Sequence, residues 1–201
     1  LENIDLRLDR LAGQGRGEAV YEALEAFLTG ELLPFRDRIV RWCEARVSRR
    51  GASLDEVLPQ EHRTLSPSDF GFHNTLRLAD GRLVYLDFEY FGWDDPAKIL
   101  ADFVMHPAMA LPLALGRRFA AGLFRLFEED RRLAQRAQTV YPLFGIKWCL
   151  ILLNEFVPEH LERRRFAGDG VGLADNLLAA QLGKARRMLE RVMTAERRFP
   201  Y

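Results

Sequence analysis

Only one stretch of this sequence is patterned for strands, and the chain on either side of it is patterned for helices. It reads Thr75-Leu76-Arg77-Leu78, then Ala79-Asp80-Gly81-Arg82, then Leu83-Val84-Tyr85-Leu86-Asp87-Phe88-Glu89. Alternating apolar residues on both sides of a turn containing Asp-Gly predict a β-hairpin. A single hairpin cannot build an independent sheet. The expected fold is therefore mainly α with one short β-hairpin, which presents a site on a helical support.

The helical signals come first from Val20, Leu24, Phe27 and Leu28, which fall at helical spacing. Pro34 interrupts that run and can open the next helix, striped by Phe35, Ile39, Trp42, Cys43 and Val47. The other face of that helix is rich in Arg and reads as solvated. After Asp95-Pro96 a stripe of Ile99, Leu100, Phe103 and Val104 ends before Pro107. A helix follows from about Leu111 to Glu128, and a third begins near Arg131. Pro142 is expected to divide that third helix and start another, apolar nearly all round and hence buried. Leu178, Leu182, Ala185, Leu189 and Val192 stripe the last helix. Glycines at 13, 15 and 17, and at 168, 170 and 172, predict breaks. With no repeat or linker, residues 1–201 read as a single domain. It has a helical lead-in (1–64), a loop and hairpin (65–92) and a second helical part (93–201).

Composition narrows the function classes. Lys plus Arg is 29 and Asp plus Glu is 29, for a formal net charge of +0. A chain that coats nucleic acid or an acidic membrane surface is normally basic, so neither partner is expected. No apolar run reaches the roughly 18 residues that a membrane span needs. The two cysteines, Cys43 and Cys149, are too few for a disulfide framework. They read as buried free thiols in a reducing compartment, which points to the cytoplasm.

The densest polar cluster is Asp69, His73, Asn74, Asp87 and Glu89. Asp69 and Asn74 lie in a loop that feeds straight into a strand, so two short polar side chains can be aimed at one point. Asp87 and Glu89 are two residues apart at the end of the hairpin, sharing a face at roughly 7 Å. Two carboxylates on one face of a partly buried strand repel each other unless a cation neutralises them. Oxygen donors from Asp, Asn and Glu suit magnesium, which favours one or two carboxylates plus substrate phosphates. Ordinary turn, cap and ion-pair roles are open to each residue taken singly.

Asp69-x-x-x-x-Asn74, the hairpin, Leu86-Asp87-Phe88-Glu89-Tyr90 and then Gly92 and Asp95-Pro96-Ala97 together resemble the C-terminal lobe of the aminoglycoside phosphotransferase and choline kinase superfamily. That lobe belongs to a protein-kinase-like fold. The resemblance implies an ATP-dependent small-molecule O-phosphotransferase acting on a hydroxyl of an amino alcohol, sugar or similar metabolite. It implies that Asp69 is the catalytic aspartate, that Asn74 and Asp87 bind magnesium and the ATP phosphates, and that Glu89 assists the metal. Physically, phosphoryl transfer asks mainly for positioning and charge neutralisation.

The sequence departs from the family pattern in three places. The family's loop histidine is replaced by Pro67, with Ser68 where glycine is usual. Ile99 stands where an aspartate is usual, and Asp102, one helical turn later, is expected to brace the loop from beneath. No Gly-rich loop and strand lysine precede Asp69, so the N-terminal β-rich lobe is expected to be absent, or supplied by a partner chain. A rival reading keeps the same lobe as a catalytically silent binding module. Around the cluster, His73 is expected to brace the loop and His106 to end a helix. Lys147 and Trp93 are the residues available for a substrate or phosphate contact; for Lys147, an outward-snorkelling role on an apolar helix competes.

Overall fold

A computed structural model describes residues 1–13, 18–166 and 174–201, with the side chains of 163–166 and 174–175 also outside the described set. The predicted breaks at Gly15, Gly17, Gly168, Gly170 and Gly172 lie outside the described residues. Among the described residues are eight α-helices: α1 (Glu2–Leu11), α2 (Ala19–Phe27), α3 (Leu33–Ser48), α4 (Pro96–Met105), α5 (Leu113–Leu126), α6 (Leu133–Leu152), α7 (Pro158–Phe166) and α8 (Ala174–Arg197). Four three-residue strands lie between α3 and α4: β1 (Thr64–Ser66), β2 (Thr75–Arg77), β3 (Leu83–Tyr85) and β4 (Gly92–Asp94). No helix among the described residues is long and apolar enough to cross a membrane.

The mainly α expectation holds, with a correction to the strands. The predicted hairpin is β2–β3, antiparallel, pairing Thr75 with Tyr85, Leu76 with Val84 and Arg77 with Leu83. Gly81 turns it at φ 87°, a conformation that suits glycine. A second antiparallel pair, β1–β4, sets Thr64 opposite Asp94, Leu65 opposite Trp93 and Ser66 opposite Gly92. The described residues therefore form two small sheets, not one hairpin. The second went unread because its strands are three residues long, one followed by Pro67 and the other begun by Gly92, residues that signal turns.

The described chain forms two compact units, Leu1–Trp42 with Gly145–Thr194, and Cys43–Phe144 with Ala195–Tyr201. In the first, a π turn (Leu28–Leu32) joins α2 to α3 and places Pro34 in the first turn of α3. The helical run is unbroken from Ala19 to Ser48, so Pro34 interrupts nothing and opens no new helix; it follows directly on the widened π turn, which accommodates the N–H that proline lacks. Phe27, Leu32, Phe35, Ile39, Ile146, Leu150 and Leu153 are buried, and so is the whole predicted α8 stripe. A Cβ on Gly145 would fall 2.2 Å from Val192 Cγ2, so the α6 backbone and α8 are in direct contact there. Arg7 donates to Asn154 Oδ1 at 3.1 Å, and Tyr21 meets Phe156 edge-on.

In the second unit α4 is the central element. Its N-cap Asp95 accepts from the Ala97 N–H, Pro96 occupies the first turn, and Ile99, Leu100, Ala101, Val104 and Met105 are buried. Arg136 closes a bidentate pair on Asp95 and also reaches Asp130. Contrary to the division expected at Pro142, α6 runs on through it. In the turn just ahead of the proline, the Cys43 thiol donates to the Thr139 carbonyl. Burial pushes the Cys43 thiol up to about 12 and raises that of Cys149 as well, so both are unreactive neutral thiols.

Candidate functional site

The β1–β4 pair closes the two ends of the segment that holds the polar cluster. Just past β1, the Asp69 N–H donates to the Pro67 carbonyl at 2.8 Å, a three-residue turn centred on Ser68 at φ 67°. That positive φ is what glycine adopts freely and serine does not. Two bonds hold Ser68 there. Its N–H donates to Ser66 Oγ at 2.9 Å, and its own Oγ accepts from the Lys98 ammonium at 2.5 Å. Lys98 lies on α4 and also contacts Asp94 at 2.8 Å and Asp102 at 3.5 Å. Asp102 is 7 % exposed. An acid–lysine–serine chain thus runs from the α4 interior to the residue beside Asp69.

Asp69 is further framed by aromatic packing. Phe70 stacks on Phe103 of α4 at 5.1 Å, and Phe103 stacks on Phe119 of α5 at 4.0 Å. Gly71 is buried, with no room for a Cβ, which would fall 2.7 Å from Met109 Sδ and 2.8 Å from the His73 ring. The Asn74 side-chain amide donates to the Asp69 backbone carbonyl at 2.8 Å, leaving its Oδ1 as an acceptor. The Leu86 N–H donates to the Asn74 carbonyl at 2.9 Å, joining this loop to the far side of the hairpin. Asp69, His73 and Asn74 are therefore brought together. His73 Nε2 lies 3.1 Å from Asp69 Oδ1.

Asp87 and Glu89 are not on a partly buried strand. β3 ends at Tyr85, Asp87 takes a left-handed φ of 59°, and both acids are exposed. The left-handed residue breaks the pleat, so the expected same-face spacing of the two carboxylates does not apply. A hydrogen bond to Glu89 and the charge of Glu89, with smaller contributions from burial, Asp87 and Asp69, hold the Tyr90 hydroxyl above its usual range. Among the described residues, the acids and histidines whose ligand atoms lie within 4.8 Å of one another are Asp69, His73 and His106, so Asp87 and Glu89 are not gathered with Asp69. By type, the carboxylate oxygens of Asp87 and Glu89 and the amide oxygen of Asn74 are donors that a hard cation takes.

Trp93 sits on β4, 55 % exposed, opposite Leu65. Lys147 belongs to the other unit, where its ammonium lies 5.4 Å from the Trp148 ring centroid. Three site residues escaped the sequence reading. Lys98 lies between the apolar positions of its helix and carries no motif, and Tyr90 was only part of a motif. His106, expected as a helix end, does cap α4, but its ring also lies on that of His73.

A cavity of about 500 Å³ lies elsewhere in the same unit, lined among others by Arg50, Leu58, His62, Asp130 and Arg136. It contains none of the predicted site residues. Set against known proteins, the chain matches no family model, no curated protein and no solved structure.

Proposed function

We propose that this chain is the catalytic lobe of an ATP-dependent small-molecule O-phosphotransferase. The observation that carries the reading is the pair of bonds that ties the Asn74 amide to the Asp69 carbonyl and Leu86, next to Asp87, to the Asn74 carbonyl. In this reading the acceptor hydroxyl approaches Asp69. Its oxygen attacks the γ-phosphorus of ATP, the bond to the ADP oxygen breaks, and the hydroxyl proton passes to the Asp69 carboxylate. Both imidazoles meet Asp69 through Oδ1, so Oδ2 is the oxygen that takes the proton. Asn74, Asp87 and Glu89 would hold magnesium, which supplies neutralisation of the phosphate charge. Lys98, bonded to Ser68, fixes the turn that aims Asp69. Asp102 braces that lysine, and Trp93 is available to an acceptor near β4.

The hairpin supports a further part of the reading. Leu76, Leu83, Tyr85, Leu86, Phe88 and Tyr90 are between 43 % and 64 % exposed. An apolar surface on both strands suits a nucleotide-binding cap packed over it, from a further lobe or a partner chain. The test is transfer of labelled γ-phosphate from ATP, with magnesium, to a panel of amino alcohols and sugars. Transfer that falls by about 10²–10⁴-fold in Asp69→Asn supports the reading. Transfer that survives Asp69→Asn contradicts it.

One feature favours a second reading, a silent binding module. Asp69 Oδ1 is already approached by His73 and His106. Nucleotide binding without transfer to any acceptor would favour that reading.

A further inference from the structure

Two of the chain's four histidines lie face to face beside the loop acid. The rings of His73 and His106 are 3.9 Å apart between centroids, with 9° between their planes. Their Nε2 atoms approach the same oxygen, Asp69 Oδ1, at 3.1 Å and 3.4 Å. One ligand atom from each of the three residues lies within 4.8 Å of the others. We infer that Asp69, His73 and His106 form a binding site for one borderline divalent cation of the zinc type, separate in its donors from any oxygen-only magnesium site.

The donor set selects the metal. Two neutral imidazoles and one carboxylate suit zinc or its neighbours in the first transition row and are poor ligands for magnesium. The distances agree. A tetrahedral ion with bonds of about 2.0–2.1 Å holds its ligand atoms about 3.3 Å apart. The two observed nitrogen–oxygen separations bracket that edge, so only the imidazole pair has to tilt inward. The scaffold is firm on both sides. His106 ends α4, and His73 lies in a short turn packed against Gly71, where not even a Cβ fits. The His73 and His106 side chains are 19 % and 14 % exposed, while Asp69 is 40 % exposed. A three-ligand ion here keeps an open position on the Asp69 side.

One proton must move. The Ala108 N–H donates to His106 Nδ1 at 3.2 Å, so the neutral ring carries its proton on Nε2, toward Asp69. An ion on Nε2 requires that proton on Nδ1. The Ala108 bond is then lost, at small cost, because Ala108 is exposed and its N–H can turn to water. Neither cysteine competes for the ion, since both thiols are buried and held neutral. On the phosphotransferase reading, the ion would occupy the carboxylate that accepts the hydroxyl proton, so zinc would inhibit transfer. That consequence rests on the proposed function, whereas the binding site does not.

The test uses the full chain, stripped of metal and dialysed against Zn²⁺ or Co²⁺ with no nucleotide or acceptor present. The expected result is one ion retained per chain, undisturbed by excess Mg²⁺. Binding should weaken at least tenfold in both His106→Ala and His73→Ala. Bound Co²⁺ should show the intense visible absorption of a four-coordinate nitrogen-ligated ion. Circular dichroism confirms that each variant is folded, and His73→Ala serves if His106→Ala is not. A folded parent that retains no Zn²⁺ or Co²⁺ overturns the inference. So does retention unchanged in a folded variant. Either result leaves the transfer assay, run without zinc, to decide the proposed function separately.

Discussion

Lys98 and Ser68 are 30 residues apart in sequence, yet the lysine ammonium lies 2.5 Å from the serine hydroxyl. Through this contact α4 holds the left-handed turn immediately before Asp69. The arrangement is built from polar groups that are mostly shielded from water, with Lys98 24 % exposed at the side chain and Asp102 9 % exposed. Removing one member leaves the others poorly paired.

Lys98→Met should therefore destabilise the chain by about 1–3 kcal/mol. It should also lower transfer by more than the fold loss accounts for, because the turn before Asp69 loses its anchor. Urea unfolding beside the transfer assay measures both. Asp102→Ala should act in the same direction, and a variant with full stability and full activity would show that Asp102 braces nothing.

Ser68→Gly separates strain from anchoring. Glycine adopts a φ near 67° without cost, which should recover about 1 kcal/mol of backbone strain. It also deletes the hydroxyl that meets Lys98. Stability near the parent value with reduced transfer is the expected outcome, read by thermal melting and kinetics. Unchanged transfer would mean that the hydroxyl contributes nothing to positioning.

Gly145→Ala should be costly. Its Cβ would sit 2.2 Å from Val192 Cγ2, well inside van der Waals contact, on a buried helix. Overpacking of this kind costs about 1–3 kcal/mol. The companion variant Gly145→Ala with Val192→Ala should recover part of that loss. Calorimetry of the two variants gives the comparison.

Stability should fall in acid through Asp130. Burial pushes its carboxyl up, but the hydrogen bond and charge of Arg136, the Arg132 N–H and the His62 charge outweigh this and hold it below the usual carboxylate range. A group lowered in the folded state stabilises fully above its unfolded value, and that contribution disappears as pH falls through the folded value. Asp130→Asn should cost about 1–3 kcal/mol at neutral pH. The gap from the parent should close as pH drops below the ordinary carboxylate range. Denaturant unfolding across pH tests this, and a gap independent of pH would contradict it.

The legible parts of the sequence were those where one local pattern decides the outcome. The α8 stripe from Leu178 to Val192 is buried residue for residue, and Asp80-Gly81 turns the hairpin at its predicted place. Pro142 misled because tertiary packing holds α6 through the proline, and local pattern cannot show that packing. The β1–β4 pair depends on a contact between residues 64–66 and 92–94, which three-residue strands do not announce. Within the site, Asp69 and Asn74 share one loop, where the Asn74 amide donates to the Asp69 carbonyl. The exposed, left-handed Asp87 and the His73–His106 stack are tertiary facts. Nothing in the spacing from His73 to His106 predicts that the rings meet.

The most direct test of the central claim is calorimetric titration of the full chain with magnesium and ATP, beside Asp87→Asn. The account predicts magnesium-dependent ATP binding by the parent, weakened at least tenfold in the variant because the hairpin has lost a charged oxygen donor. Equal binding by the two chains, or no binding by a folded parent, would contradict it.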